Sequence, residues 1–385
     1  MNCGIFLDGL FWKRKMSERL KRAKRIVIKA GTSILTGKDG RFVAAYLARL
    51  GEQVLDLRKQ KREVVLVSSG AIGLGMEVTA FKKRPKKMAQ LQACAAIGQG
   101  KLMAAYEKFF AKRGVHTAQI LLTRDGLEDR ERFLRASRTM NELLRMKVLP
   151  IVNENDTVST EEIAFGDNDR LSVHVSHLVG ADLLILLSDV DGFYLNDGSR
   201  IRLVSSIREI REELVKHVKD KRKEKTVGGM SAKLKAATTA MNLGIPMLIV
   251  NGHKKGLIGN AMRGADIGTL FLPSREKPSA RRMWISFSAP RKGAVVVDHG
   301  AFDALKAQRV SLLPRGMVSV KGDFEKGNVV ELETQDGRVF GRGVVRYSSR
   351  DLSRLAGKKT GEIQQILGYK NQDEVIHRND LVIWE

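Results

Sequence analysis

The stretch Ile26-Val27-Ile28-Lys29-Ala30-Gly31-Thr32-Ser33 joins an apolar run to a lysine and then to small residues. A second stretch, Val64-Val65-Leu66-Val67-Ser68-Ser69-Gly70-Ala71, repeats this change of composition. Short apolar runs without alternation are typical of strands that are buried on both faces of a parallel sheet. Small residues therefore begin where these two strands are predicted to end.

Further apolar runs alternate with helical patterns between residues 25 and 272, and this alternation predicts the fold class. Helices are expected over residues 129–145 and 232–243. Strands that alternate with helices predict an α/β fold, in which helices cover both faces of a mostly parallel sheet. The remaining strand candidates are residues 117–122, 147–152, 182–187 and 246–250.

The position of the small residues predicts an anion site. Ligands of open α/β sheets bind outside the carboxyl ends of the strands, where glycine lets backbone N–H groups approach a phosphate. A helix that begins there adds its partial positive charge. No segment matches G-x-x-x-x-G-K-[ST], and Gly98-Gln99-Gly100 fits neither that pattern nor the dinucleotide fingerprint. The two nucleotide-binding folds that carry these motifs are therefore not favoured.

Three later segments add polar groups to this site. Asn153-Glu154-Asn155-Asp156 follows a predicted strand, and Gly166-Asp167-Asn168-Asp169 comes soon after it. Gly228-Gly229-Met230-Ser231-Ala232-Lys233 leads into a predicted helix. Phosphoryl transfer requires positioning and positive charge around the transferred group, and Lys29 and Lys233 are the cations in these motifs. The alternative for the first segment is an ordinary turn rich in Asn and Asp.

Size and composition describe a globular chain of two domains. The chain has 385 residues, of which 43% are hydrophobic and 29% charged. Two cysteines, Cys3 and Cys94, give no disulfide framework and favour a reducing cytoplasm. Cys94 lies among alanines, which predicts a small buried packing residue.

The net charge of +25 suggests an anionic partner, but its distribution is uneven. Residues 293–385 carry 14 Lys and Arg against 13 Asp and Glu, so nearly all of the excess precedes them. Runs such as Lys82-Lys83-Arg84-Pro85-Lys86-Lys87 are interpreted as a solvated basic face that attracts anionic substrates. The basic run 219–225 is either a mobile lid over the phosphates or a solvated charge run.

Changes of composition along the chain predict its domain boundaries. Residues 1–20 are interpreted as a disordered extension, and their apolar part is too short for a membrane span. A catalytic domain is expected over residues 21–275 and a proline-containing linker over 276–292. Short strands and turns then predict a small mixed, barrel-like module over 293–385.

Together the motifs resemble those of the amino-acid kinase family, from about residue 25 to the end of the chain. The similarity is to members that use ATP to phosphorylate the γ-carboxylate of L-glutamate, the first step of proline biosynthesis. This resemblance implies a three-layer αβα sandwich. The C-terminal module is similar to a PUA domain, on the basis of Leu312-Leu313-Pro314-Arg315-Gly316 and Ile366-Leu367-Gly368-Tyr369.

The resemblance also implies roles for individual residues. Lys29 and Lys233 would flank the transferred phosphoryl group, and Asp169 would hold both lysines. Ser69, Asp156 and Asn168 would contact glutamate, with Ser69 and Asn168 as donors to its carboxylates. ATP would bind with Mg²⁺ held mainly by the phosphates and by few or no direct protein ligands. The implied nucleotide contacts are Lys29, Ser188, Asp189, Val227, Gly228, Gly229, Met230, Ser231, Ala232 and Lys233.

The family resemblance also implies an inhibitor, an oligomeric state and a cellular location, and two alternative functions stay open. The resemblance implies proline as a feedback inhibitor and a homo-oligomer, either a dimer or a tetramer, in the cytoplasm. Another family member, acting on acetylglutamate, aspartate, carbamate or a nucleotide monophosphate, is the enzymatic alternative. The non-enzymatic alternative is an RNA-binding protein that uses the PUA module, although its near-neutral charge favours a packing or regulatory role.

Overall fold

A computed structural model describes most of the chain. The described residues are 18–37, 41–79, 81, 84–123, 126–127, 129–158, 167–219, 229–273, 284–285, 292–308 and 310–383. The predicted extension before residue 18, most of the predicted linker, the basic run after residue 219, and Val227 and Gly228 lie outside this part. Leu20 is 1% exposed and belongs to the core, so the packed chain begins before residue 21.

The chain divides into two compact units. The first consists of Met1–Gly126 with Phe133–Lys277, and the second of Leu127–Arg132 with Pro278–Glu385. The boundaries predicted at residues 275 and 293 lie within or beside stretches outside the described part, and they stay predictions.

The first unit contains an eight-stranded sheet, which confirms the predicted α/β class. Its order is β3-β4-β2-β1-β5-β9-β10-β8, and all pairs are parallel except β9 with β10. A separate two-stranded ribbon pairs β6 with β7. The strands are β1 Arg25–Ala30, β2 Glu63–Ser68, β3 Thr117–Leu122, β4 Leu149–Glu154, β5 Leu183–Ser188, β6 Phe193–Tyr194, β7 Arg200–Ile201, β8 Leu203–Val204, β9 Met247–Asn251 and β10 Thr269–Phe271.

Helices cover this sheet. Most follow a strand, as expected for right-handed βαβ crossovers between parallel strands. A π-helical turn, Ile210–Leu214, joins two of them. The helices are α1 Thr32–Leu35, α2 Ala44–Lys59, α3 Ala71–Val78, α4 Met88–Ala111, α5 Arg130–Arg145, α6 Asp167–Leu178, α7 Ile207–Glu209, α8 Val215–Lys219, α9 Met230–Asn242 and α10 Leu257–Met262.

The six strands that the apolar runs predicted are all present, and all of them except the partly exposed edge strand β3 are mostly buried. Every residue of β5 is buried, and so are five of the six residues of β1 and of β2. Burial of apolar side chains on both faces removes them from water and holds the sheet together. Cys94 is fully buried, as its alanine neighbours predicted.

The site residues come together because parallel strands end at one edge. Residue 30 of β1 lies opposite Ser68 of β2 and Leu187 of β5, so the turns after these strands adjoin. The chain leaves β2 through Gly70, whose φ of 108° is a left-handed conformation that favours glycine. Helix α3 begins directly afterwards.

The second unit is a small mixed module, as the change of composition predicted. Its five-stranded sheet has the order β12-β11-β13-β14-β15, with β11 and β13 parallel and the other pairs antiparallel. Its core includes Tyr347 and Phe340. The elements are β11 Ala294–Val297, α11 His299–Gln308, β12 Met317–Lys321, β13 Val329–Thr334, β14 Val339–Val344, α12 Ser349–Leu355, α13 Ile363–Leu367 and β15 Leu381–Ile383, with 3-10 turns at Pro314–Gly316, Thr360–Glu362 and Arg378–Asp380.

Among the helices of the described ranges, none is long and apolar enough to cross a membrane.

Candidate active site

Lys29 is the first charged group at the strand ends. It is the penultimate residue of β1 and only 7% exposed. Gly31, two residues later, has no side chain to compete with the lysine for space. A Cβ atom built at residue 31 would lie 3.0 Å from Lys29 Nζ, and the ammonium group occupies this room.

Asp169 joins Lys29 to Lys233. Its Oδ1 atom lies 2.6 Å from Lys29 Nζ, and its Oδ2 atom lies 3.6 Å from Lys233 Nζ. The Asp169 side chain is 1% exposed, and the two lysine side chains are 8% and 12% exposed. Asp169 lies in the first turn of α6 and Lys233 in the first turn of α9, so three separate elements supply this group.

Two ammonium groups contact one carboxylate in a largely buried place. Buried charges are expensive unless they are paired. A phosphoryl group beside Lys29 and Lys233 could form charge-assisted hydrogen bonds with both ammonium groups, so the arrangement is suited to a phosphate.

Asn168, the residue before Asp169, belongs to an amide cluster on the other side of the turn. Its Nδ2 atom donates to the Ser68 carbonyl at 2.9 Å, to Ser69 Oγ at 2.7 Å and to Asn153 Oδ1 at 3.1 Å. Asn153 is 3% exposed, and its own Nδ2 atom donates to Gln99 Oε1 at 2.7 Å.

These bonds determine which groups a ligand can meet. Three protein oxygens share the two hydrogens of the Asn168 amide, so its free polar atom is Oδ1, an acceptor. No other described residue bonds that oxygen. The expected role of Asn168 as a donor to a carboxylate does not fit this orientation. Ser69 Oγ accepts from Asn168 and keeps its own hydrogen for a ligand.

Asp156 is half-buried in the turn that follows β4. The Arg84 guanidinium lies close enough to interact with its carboxylate. Burial lowers the pKa of Arg84 to about 10, and the negative charge of Asp156 opposes that shift. Arg84 was predicted to belong to a solvated basic face, but it is half-buried.

The candidate nucleotide residues lie at the end of β5 and the start of α9. Ser188 is 3% exposed and donates to Asp189 Oδ1 at 3.1 Å. Gly229 precedes α9, whose first turn contains Met230, Ser231, Ala232 and Lys233. The first N–H groups of a helix have no partner within the helix, so this end is suited to a phosphate. Val227 and Gly228 lie outside the described residues.

Comparison with known proteins identifies the family. The sequence model of the amino acid kinase family matches residues 24–251, and that of the PUA domain matches residues 293–367. Proteins named glutamate 5-kinase from Geobacter metallireducens and Caldanaerobacter subterraneus subsp. tengcongensis are 45% and 43% identical to the chain. Each match covers 94% of the chain and 98% of the relative. The chain belongs to the amino acid kinase family, in its glutamate 5-kinase group.

Among solved structures, carbamate kinases give a partial match to this chain. A carbamate kinase from Giardia lamblia bound to AMP-PNP covers 66% of the chain and 100% of its own length, at 17% identity and a TM-score of 0.49. The amino acid kinase domain and the PUA domain both match the classes of fold predicted from the sequence.

Sequence reasoning missed several residues of this amino acid kinase site. Gln99 and Tyr106 on α4 lie far along the chain from the strand ends that they support. Arg84 was counted only as part of a basic run. Asn153 was quoted within a motif but was given no role. Helical spacing gave a weak signal, since residues 99 and 106 lie seven apart and share a face of α4.

Proposed function

We propose that this chain phosphorylates the γ-carboxylate of L-glutamate with ATP and forms γ-glutamyl 5-phosphate, the first step of proline biosynthesis. One observation carries the proposal. Lys29 and Lys233, from opposite ends of the first unit's sequence, meet at the buried carboxylate of Asp169. The named relatives, similar over nearly the whole chain, support glutamate over the other acceptors of the family.

The two lysines stabilise the charge of the transferred phosphoryl group. Phosphoryl transfer is catalysed mainly by positioning and by positive charge placed before the reaction begins. Lys29 and Lys233 hold their ammonium groups on either side of Asp169, so little reorganisation is needed when the phosphate arrives. Asp169 serves as an organiser, because its two oxygens are occupied by the lysines.

The reaction needs no general base. A glutamate side chain has an ordinary pKa of about 4.3, so it is already ionised at neutral pH and can attack directly. Asp169, placed between the two lysines, is therefore given no part in proton transfer.

The acceptor side would recognise the α-ammonium and carboxylate groups of glutamate with matching hydrogen-bond acceptors and donors. Asn168 Oδ1 and the Asp156 carboxylate are acceptors suited to an ammonium group, and the Ser69 hydroxyl is a donor suited to a carboxylate. Arg84 beside Asp156 adds a positive charge that favours an acidic substrate. Asn168 therefore keeps its place in the glutamate site, with its oxygen rather than its nitrogen toward the ligand.

The nucleotide would bind between the end of β5 and the start of α9. The N–H groups after Gly229 would meet the phosphates, and Ser188 and Asp189 would line the same side. Among the described residues, no group of three or more His, Cys, Asp or Glu could hold a metal ion. Mg²⁺ is proposed to bind mainly to the phosphates of ATP and to offset their charge.

Regulation, oligomeric state, location and the role of the PUA unit are proposed as well. L-proline, which shares the α-amino acid groups that Ser69 and Asn168 would bind, is proposed as a feedback inhibitor. A homo-oligomer and a cytoplasmic location are proposed from the family resemblance. The PUA unit is given a packing or regulatory role, and the large positive charge is assigned to attraction of anionic substrates.

The test is ADP release by the full-length chain with MgATP and a set of acceptors. Glutamate should support turnover, and aspartate, acetylglutamate, carbamate and nucleoside monophosphates should not. Addition of proline should lower the rate with glutamate. A clear preference for another acceptor would overturn the assigned substrate, and absence of ADP release with every acceptor would overturn the kinase assignment.

A further inference from the structure

Gln99 lies on α4, outside the motifs that predicted the site, and its side chain contacts the acceptor side of the site. Its Oε1 atom accepts a hydrogen bond of 2.7 Å from Nδ2 of Asn153, a residue 54 positions later. The surrounding stretch Gly98-Gln99-Gly100 fits no nucleotide-binding fingerprint. The contact with Asn153 therefore connects Gln99 with the site.

Together with the Glu154 backbone N–H, the contact determines the orientation of the Asn153 amide. Asn153 Oδ1 accepts from the Glu154 backbone N–H at 2.9 Å and from Asn168 Nδ2 at 3.1 Å. Rotation of the amide by half a turn would place its NH₂ group against these two donors and its oxygen against the Gln99 oxygen. Only one orientation satisfies all three neighbours.

The orientation of the Asn153 amide in turn determines the orientation of the Asn168 amide. An acceptor at Asn153 Oδ1 requires the Asn168 nitrogen to face it, so the Asn168 oxygen faces away. The same nitrogen donates to Ser69 Oγ, which leaves the Ser69 hydrogen available to a ligand. An acceptor and a donor thus stand side by side, as a zwitterionic α-amino acid requires.

Helix α4 holds Gln99 at a defined place relative to β2 and α3. A Cβ atom on Gly98 would lie 1.8 Å from the Ala71 carbonyl oxygen, so α4 touches the start of α3 through glycine. Two turns further on, the hydroxyl of the fully buried Tyr106 lies 2.9 Å from Ser68 Oγ. The helix therefore contacts the support of the site at three points.

We propose that Gln99 is a positioning residue for the acceptor. Through Asn153, its accepting oxygen orients the Asn168 amide and the Ser69 hydroxyl toward the α-ammonium and carboxylate of the amino-acid substrate. The proposal rests on the proposed function only for the identity of that substrate. Gln99 itself bonds a protein amide and transfers no proton or phosphate.

Three substitutions at residue 99 separate this role from packing and from charge. Glu keeps an acceptor, Met keeps the shape without one, and Lys presents a donor to the Asn153 nitrogen. We expect KM for glutamate to be lowest in the Gln99→Glu variant, higher in Gln99→Met and highest in Gln99→Lys. The Met value should rise about tenfold, roughly the net effect of one hydrogen bond. KM for ATP should stay unchanged.

Other orders would overturn the proposal. A packing role predicts that Met is the mildest change and that Glu and Lys are both severe. Direct repulsion or attraction of the acidic substrate predicts the order Lys, Met, Glu. If the Lys variant does not fold, Glu against Met still decides, because only the accepting role makes Glu the milder change. Gln92→Met, on the same helix, is the control and should behave as wild type.

The outcome can be distinguished from failure of the proposed function. Dissociation constants for the amino acid that the wild-type chain binds, measured by calorimetry, should follow the same order as KM. A wild type that prefers another α-amino acid would overturn the glutamate assignment and would leave this order as the test of Gln99. Equal affinity in all three variants would overturn the positioning role even if glutamate is the substrate.

Discussion

The Lys29 ammonium occupies the space that the absent side chain of Gly31 leaves open, since a Cβ atom at residue 31 would lie 3.0 Å from Lys29 Nζ. Gly31 has an extended backbone, with φ −72° and ψ 167°, so glycine is not needed there for its conformation. The requirement at residue 31 is steric and concerns the position of a functional group.

Gly31→Ala is therefore expected to impair catalysis without destabilising the fold. The added methyl group would push Lys29 Nζ away from its place beside Asp169, and small displacements of a catalytic group reduce the rate by about 10-fold or more. We expect a lower kcat with an unchanged unfolding temperature. Gly100→Ala is the control, because a Cβ atom there meets nothing within 4 Å. Equal kcat in both variants would contradict the steric role of Gly31.

Lys233→Ala should reduce kcat by at least ~10²-fold, the usual effect of removing one preorganised group that stabilises the transition state. Steady-state ADP release at saturating glutamate and ATP measures this. Lys235→Ala, an exposed lysine of the same helix, is the matched control and should retain full activity. Near-normal turnover of the Lys233 variant would remove that lysine from the mechanism.

Asp156→Ala should mainly raise KM for glutamate, by ~10-fold or more, since a hydrogen bond between charged groups would be lost from substrate binding. KM for ATP should stay near the wild-type value, because Asp156 follows β4 and the proposed nucleotide residues follow β5. Initial rates over a matrix of both substrate concentrations would separate the two constants. An unchanged KM for glutamate would mean that another group reads the substrate ammonium.

Acid should weaken the first unit through His177 of α6. His177 is 5% exposed, packs with its ring centroid 5.0 Å from that of Phe133, and has no hydrogen bond to either ring nitrogen among the described residues. Burial lowers its pKa from 6.5 to about 4. Between pH 6.5 and pH 4 this histidine is protonated more in the unfolded chain than in the folded chain. Its contribution to the free energy of unfolding is therefore complete above pH 6.5 and is lost as the pH falls. It should fall by roughly 3 kcal/mol as the pH approaches 4.

Urea unfolding at a series of pH values measures this loss. His177→Leu should remove that part of the pH dependence, because the side chain no longer gains a proton on unfolding. His299→Leu, at a largely exposed histidine of the second unit, is the control and should leave the slope unchanged. An identical slope in wild type and His177→Leu would exclude His177 as its source.

Much of the fold could be predicted from local composition. The edge strand β3 was predicted with its observed bounds, Thr117–Leu122, and the five strands inside the sheet with shifts of one or two residues. Strands buried on both faces have continuous apolar sequences, so their signal is local. The antiparallel strand β10 was missed, because three residues carry too little pattern to be recognised.

The candidate site was predictable where it coincided with motifs and unpredictable where it depended on distant contacts. Lys29, Asp169 and Lys233 were expected to meet, and they do. The bond between Gln99 and Asn153 was not predicted, because nothing in either segment indicates which residue the other contacts. The same holds for Arg84, whose half-buried place beside Asp156 depends on how the turn after β4 packs.

The sequence alone determined which residues form the buried strands and which polar groups follow them, because burial of apolar side chains acts through local patterns. Only the tertiary structure decided the direction of each amide and hydroxyl. Asn168 has the same composition whichever way it points, and its orientation depends on Ser68, Ser69 and Asn153, which other elements bring to it. Hydrogen bonds are directional and long-range along the chain, so the polarity of this site appears only once the strands have been brought together.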